Sequence, residues 1–288
     1  MPLTVAFQGE PGAYSELAAL EHFGTQVETL PCHSFEQVFA SVTQGTAERG
    51  LIPIENSLAG SIHRNYDLLL RNQLNIVGEH HLRVSHCLLA LPGVKLEQIR
   101  QVHSHPQALA QCEASLARLG VEAVAEADTA GSARLIRQQG ARSAGALASR
   151  RAAQVYQLEV LAENMEDNPA NFTRFLALSR EPQPAGESPS GNYKTSLVFS
   201  LRNQPGALFK ALSVFALRDI DLTKIESRPI PGQPWEYMFY VDFAGHAEAP
   251  VCQRALNNLR EYATFLRILG SYIRHFQNGA LPKDSPKN

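Results

Sequence analysis

Short apolar runs separated by helix-periodic segments make up the larger, N-terminal part of the chain. Thr4 to Phe7, Gly50 to Ile54, Val84 to Leu91 and Val121 to Ala125 are each long enough for a buried strand. Between them apolar residues recur at helical spacing, as in Ile62, Tyr66, Leu69 and Leu70. Strand alternating with helix predicts α/β layers. Two glycine-containing turns follow strands directly, Gly9-Glu10-Pro11-Gly12 and Ser57-Leu58-Ala59-Gly60. Such turns can present the free amides of a following helix to an anion, and they also serve as plain strand-to-helix punctuation.

The pattern lapses between Arg180 and Lys194, where prolines, glycines and polar residues follow one another without periodicity; this predicts a linker over 181–194. A different unit follows. Thr195 to Leu201 reads as a strand; Leu208, Ala211, Leu212 and Phe215 as a helix; Leu222 to Ile230 and Tyr237 to Phe243 as strands. A helix around Val251, Ala255 and Leu259 precedes a last strand near Phe265 to Leu269, which completes a βαββαβ order. The remaining 276–288 read as a tail.

Composition narrows the class without choosing a function. The chain has 288 residues, 44% hydrophobic and 19% charged, a globular balance for one large or two ordinary domains. Its net charge of −2 comes from 26 basic and 28 acidic residues without long runs of either sign, which disfavours a nucleic-acid partner. No apolar run approaches the roughly 20 residues of a membrane span, and no basic leader opens the chain, so a soluble cytoplasmic protein is expected. Cys32, Cys87, Cys112 and Cys252 lack pairing or metal spacing and read as reduced packing residues. Gly9 to Gly12 lacks the third glycine of a dinucleotide fingerprint and the lysine of a phosphate loop, so no nucleotide cofactor is expected. Adjacent His80 and His81 would face opposite sides of a strand; they read as surface histidines, and no metal is expected. His103 and His105 both stand near a prospective cleft, and Ser104-His105-Pro106 also reads as a helix start.

The densest chemistry is Asn171-Phe172-Thr173-Arg174-Phe175, a hydroxyl and a guanidinium at the mouth of the apolar run Leu176-Ala177-Leu178. This segment resembles the signature of prephenate dehydratases. The likeness extends in order through Val5 to Ser15, Pro53-Ile54-Glu55-Asn56-Ser57 with Gly60-Ser61, Ser104 to Leu109, and Gly145 to Ser149. Gly206-Ala207-Leu208 and Glu226-Ser227-Arg228-Pro229 are similar to the family's C-terminal regulatory motifs. The segment from Ser61 to Tyr66 departs from the small or acidic residues commoner there, and Ile273 stands where the family often has proline.

The resemblance implies an α/β, two-lobed, periplasmic-binding-protein-like catalytic domain over 1–180, with lobe I about 1–80 and 165–180 and lobe II about 81–164. It implies lobe crossings near Gly78 to Leu82 and Asn164 to Asn171. It also implies an α+β, ferredoxin-like (βαββαβ) ACT regulatory domain over 195–275. The implied reaction converts prephenate to phenylpyruvate without a cofactor. Thr173 is the implied donor to the departing hydroxyl, with Arg174, Asn56, Ser57, Asn171 and Phe175 holding substrate. A contribution from Glu55 is weaker, since a carboxylate repels an anionic substrate. Asn203, Gly206, Ala207, Leu208, Glu226 and Ser227 are the implied site for L-phenylalanine as effector, in a homodimer or homotetramer. Alternatives are an arogenate dehydratase and a non-catalytic amino-acid sensor, the latter disfavoured by the Thr173-Arg174 pair.

Overall fold

The protein was analysed as a computed structural model that describes residues 2–184, 192–230 and 232–275. Two sheets form the N-terminal part. The first carries β1 (Thr4–Gln8), β2 (Glu28–Cys32), β3 (Arg49–Asn56), the short β4 (Gly60–Ser61), β5 (Asn75–Arg83) and, from far along the chain, β11 (Phe172–Ser179). Its order is β2-β1-β3-β11-β5, with β4 paired to β3. Helices α1 (Tyr14–Phe23), α2 (Phe35–Gln44) and α3 (His63–Arg71) are its connections. The second sheet has the order β10-β6-β9-β7-β8. Its strands are β6 (Cys87–Ala90), β7 (Gln101–Ser104), β8 (Glu122–Ala125), β9 (Ala144–Ala148) and β10 (Glu159–Ala162). Helices α4 (Pro106–Gln111), α5 (Glu113–Leu119), α6 (Thr129–Gln139) and α7 (Arg150–Tyr156) connect them.

Strands inside such layers are covered on both faces and therefore read as continuous apolar runs. Val5, Ala6 and Phe7 of β1 are fully buried, as are Ala146, Leu147 and Ala148 of β9. The four cysteines are free and buried, as their apolar neighbours imply.

The chain passes between the sheets twice, and the first passage differs from expectation. Gly78 to Leu82 lies inside β5, which runs on to Arg83; the crossing is at Val84–His86, just before β6. The second crossing lies between β10 and β11, as expected. The two passages are laced together. Val84 N–H donates to Asn171 O at 2.8 Å and Met165 N–H to His86 O at 2.9 Å. The buried Glu166 carboxylate takes the Arg83 guanidinium on one oxygen and His86 N–H on the other, both at 2.9 Å. His80, expected on the surface, is buried: its ring is 2.9 Å from Glu21 Oε2.

The C-terminal sheet, order β13-β14-β12-β15, is antiparallel. It comprises β12 (Tyr193–Leu201), β13 (Leu222–Pro229), β14 (Tyr237–Ala244) and β15 (Ala263–Ile273), with α8 (Ala207–Ala216) and α9 (Pro250–Tyr262). β12 begins before the apolar run that predicted it, because Lys194 is buried through an ion pair with Glu79 at 2.8 Å, a contact that hydropathy does not register. Residues 185–191 of the expected linker and the expected tail lie outside the described residues.

By compactness the described residues divide into one unit of those up to Asn65 with His80–Phe175, and a second of Tyr66–Glu79 with those from Leu176 on. The second unit thus includes most of α3 and the start of β5. Within it, Arg267 donates to the carbonyls of Leu69, Leu70, Asn72 and Leu74 at 2.8–3.3 Å, closing the open end of that helix. Tyr240 donates to Tyr66 O at 3.0 Å, and Arg228 pairs with Asp67 at 2.9 Å. Gly270 is obligatory: its φ is +156°, and a Cβ there would stand 2.0 Å from Ile76 O.

Candidate active site

The end of β3 places Asn56 beside the start of β11. Two backbone amides, Leu58 N–H at 3.0 Å and Ala59 N–H at 2.9 Å, donate to Asn56 Oδ1. That leaves Nδ2, whose two hydrogens face three acceptors: Asn171 Oδ1 at 2.8 Å, Phe172 O at 3.1 Å and Thr173 Oγ1 at 3.0 Å. Thr173 Oγ1 therefore accepts from the protein, and its own proton is left for a group in front of it. The amide polarises that hydroxyl and holds its rotamer.

From Asn171 the bonding continues. Asn171 Nδ2 donates to Gln111 Oε1 at 2.9 Å, and the same oxygen is 3.1 Å from His86 Nε2. His86 Nδ1 is 2.8 Å from the Tyr14 hydroxyl, whose single proton also has Ser85 O within reach at 2.9 Å. Burial lowers the His86 pKa, partly offset by its bond to Gln111, and burial raises Tyr14 well above the ordinary phenol value. Both are neutral near pH 7.

A cavity of about 620 Å³ opens in this unit, lined by Thr173, Phe175, Asn56, Tyr14, His86 and Gln111 together with Gly60, Ser61, His105 and Asp128. That volume suits a small organic ligand. Among the described residues lining it there is no Lys or Arg. Instead α1 opens onto it at Tyr14 and Ser15 without a side-chain cap, and Glu16 of the same turn is engaged by Gly12 N–H and Arg151. Asp128 does cap its helix, accepting from Gly131 N–H.

The residues that the resemblance implied are placed as follows. Thr173, Asn56 and Phe175 come together on the cavity. Arg174 does not line it: neighbours on a strand face opposite sides, so Thr173 and Phe175 turn to the cavity while Arg174 is buried 3.9 Å from Glu55. Ser57 is also engaged elsewhere, its hydroxyl donating to Ala170 O at 2.7 Å and accepting from Phe172 N–H at 2.9 Å. Asn171 is fully buried and acts through Asn56 and Gln111. Of the two candidate histidines, His105 lines the cavity, whereas His103 faces Glu126 at 2.9 Å. Gln111 and His86 went unnoticed, since neither belongs to a spacing pattern and each becomes legible only when its partners are in view. In the C-terminal unit Asn203, Ala207 and Leu208 line a cavity of about 130 Å³. Gly206, Glu226 and Ser227 are not among its lining residues. Gly206 caps α8 with φ +77° and has open space where a Cβ would stand, so backbone conformation rather than crowding requires it.

Comparison with known proteins adds an independent finding. The family profile described as prephenate dehydratase matches residues 5–183, and that described as ACT domain matches 195–261. A relative from Arabidopsis thaliana named arogenate dehydratase/prephenate dehydratase 1, chloroplastic, is 51% identical over 283 residues, covering 93% of this chain and 71% of its own length. The crystal structure of a prephenate dehydratase from Arthrobacter aurescens in complex with L-Phe aligns with a TM-score of 0.86 at 32% identity, covering 94% of this chain and 90% of that one. GqqA, titled a novel type of quorum-quenching acylase, aligns with a TM-score of 0.88 at 42% identity, covering 94% and 98%. The plastid label of the Arabidopsis relative gives the expected cytoplasmic location no support. Among the described residues no helix is long and apolar enough to cross a membrane.

Proposed function

Since the chain belongs to the prephenate dehydratase family and carries its catalytic and ACT regions in order, we propose that it converts prephenate to phenylpyruvate, with Thr173 as donor to the departing hydroxyl. The observation that carries this reading is the Asn56 amide on Thr173 Oγ1, which commits the oxygen as acceptor and leaves the proton for substrate. In the reaction the bond from ring carbon to carboxylate breaks, and its electron pair enters the ring. The carbon–oxygen bond opposite breaks with its pair on the hydroxyl, which takes one proton from solvent and leaves as water, and carbon dioxide departs. Aromatisation supplies the driving force. A hydrogen bond that strengthens as charge grows on the leaving oxygen lowers the barrier without full proton transfer from threonine. The first-turn amides of α1 offer a seat for a substrate carboxylate, with Phe175 as an apolar wall. Arg174 acts from behind, holding Glu55.

L-phenylalanine is the effector in this reading, bound at the ACT domain by Asn203, Gly206, Ala207 and Leu208 with Glu226 and Ser227, across a homodimer or a dimer of dimers. The small cavity beside Asn203 and the L-Phe complex of the Arthrobacter protein support it. Arogenate, with an amino group where prephenate has a keto group, is a second substrate to test, as the Arabidopsis relative carries both names. The likeness to GqqA favours a further reading, amide hydrolysis. Against it, the hydrogen bond recorded for Thr173 among the described residues comes from Asn56, an amide that supplies no general base for a nucleophile.

The test is incubation with prephenate and absorbance of phenylpyruvate in alkali. Turnover by the wild type and its loss in Thr173→Ala support the proposal; absence of phenylpyruvate, with release of acid from an acylated amide, would replace it by hydrolysis.

A further inference from the structure

The side chains on the cavity floor have a determinate hydrogen-bond polarity, and it begins from backbone. Leu58 and Ala59 N–H can only donate, so the Asn56 side chain presents oxygen to them and nitrogen to Asn171. Asn171 then accepts on Oδ1 and donates through Nδ2 to Gln111 Oε1. An oxygen stands 3.1 Å from His86 Nε2, which must therefore carry the hydrogen. In the neutral ring Nδ1 is left with a lone pair, 2.8 Å from the Tyr14 hydroxyl. Ser85 O, an acceptor only, lies 2.9 Å from the same hydroxyl. Each neighbour of the phenol thus calls on its one proton, and none supplies another. Tyr14 lines the cavity as an oxygen whose hydrogen is already committed.

Resting on the dehydratase reading above, we infer that Tyr14, held in this polarity by His86, is a specificity-determining contact that favours the amino form of the substrate over the keto form. The two forms differ at one group: an ammonium has three donors and a positive charge, whereas a keto oxygen is an acceptor that meets the committed phenol oxygen lone pair to lone pair. The rest of the lining agrees. Its ionisable groups among the described residues are His86, His105, Asp128 and Tyr14 itself, with no Lys or Arg to repel an ammonium. The keto form carries two carboxylates uncompensated; the amino form carries the same two with one positive charge. Selection through a buried acceptor is strong because the wrong partner leaves both groups unpaired.

The experiment compares kcat/KM for arogenate and prephenate in the wild type and in Tyr14→Phe, with thermal unfolding as a check on folding. Tyr14→Phe keeps the ring and removes the oxygen. Arogenate should lose about tenfold or more relative to prephenate, the size of a hydrogen bond to a charged group, so that the ratio of the two kcat/KM values falls by that factor. Equal losses for the two substrates would make Tyr14 structural and overturn the inference, as would a larger loss for prephenate. Nitrogen-15 NMR of His86 gives a second readout: an unprotonated Nδ1 and protonated Nε2 are expected, and the reverse would remove its basis. If the wild type turns over neither compound, the dehydratase reading has failed by itself; the ratio of equilibrium affinities for the two compounds, in wild type and Tyr14→Phe, then decides the selectivity.

Discussion

Asn56 Nδ2 donates to Thr173 Oγ1 across 3.0 Å, joining residues 117 positions apart. The bond makes threonine an acceptor toward the protein and a donor toward the cavity. Thr173→Ala should lower kcat by roughly 10²- to 10⁴-fold, the range for a lost donor to charge that develops in the transition state, while Thr173→Ser retains much of the activity. Asn56→Asp should also cost kcat, because a carboxylate would draw the threonine proton back. Steady-state kinetics check all three. Near-normal turnover by Thr173→Ala would move attention to His105, another protic group on the cavity.

Arg174 provides the contrasting case. Its guanidinium is buried near Glu55 and away from the cavity lining. Arg174→Lys should lower the thermal midpoint and leave KM within about twofold, since Lys cannot reproduce the planar fork. A steep rise in KM at unchanged stability would restore Arg174 as a substrate clamp.

Within the second unit Lys194 and Glu79 form an almost fully buried pair, and His275 N–H also donates to Glu79 at 3.1 Å. Glu79→Gln should cost about 3 kcal/mol in denaturant unfolding, because it removes the carboxylate charge that faces a buried ammonium. The double change Glu79→Leu with Lys194→Met should recover most of that loss. If the single change is neutral, water reaches the pair in solution.

Burial holds both His80 and His86 below the ordinary value of 6.5. The unfolded chain then binds protons more readily than the folded one below that pH, so their contribution is complete above about 6.5 and falls as pH drops toward the folded values. Unfolding free energy should decline from pH 7 to pH 5, and His86→Gln should flatten part of that slope. An identical slope in the variant would exclude His86 as a contributor.

Feedback is tested at Gly206, where φ is +77° but space is open. Gly206→Val should strain the cap of α8 by about 1–2 kcal/mol and raise the phenylalanine concentration needed for half-inhibition. Removing everything after Arg180 is the poorer test, because Tyr66–Glu79 belong to the compact unit such a cut would destroy. Unaltered inhibition in Gly206→Val would place the effector elsewhere.

The layers were legible in the sequence because buried strands are uniformly apolar: Thr4 to Phe7 and Gly50 to Ile54 fall within β1 and β3, and the βαββαβ order appears as read. Thr173 stood out through the resemblance of Asn171 to Phe175 to a family signature, since an apolar strand with a polar mouth reads equally as a surface pair. Where polar residues are buried by pairing, hydropathy misled: His80 read as surface, and Lys194 as linker. What the chain order could not contain is which polar group meets which. Strand alternation sends Arg174 away from the cavity that takes Thr173, although the two are adjacent in sequence. Bonds between distant segments likewise engage Ser57 with the backbone of Ala170 and Phe172, and Gln111 with Asn171 and His86. Composition and periodicity are local quantities and determine layers; a catalytic geometry is a set of long-range hydrogen bonds, and only tertiary packing decides their partners and direction.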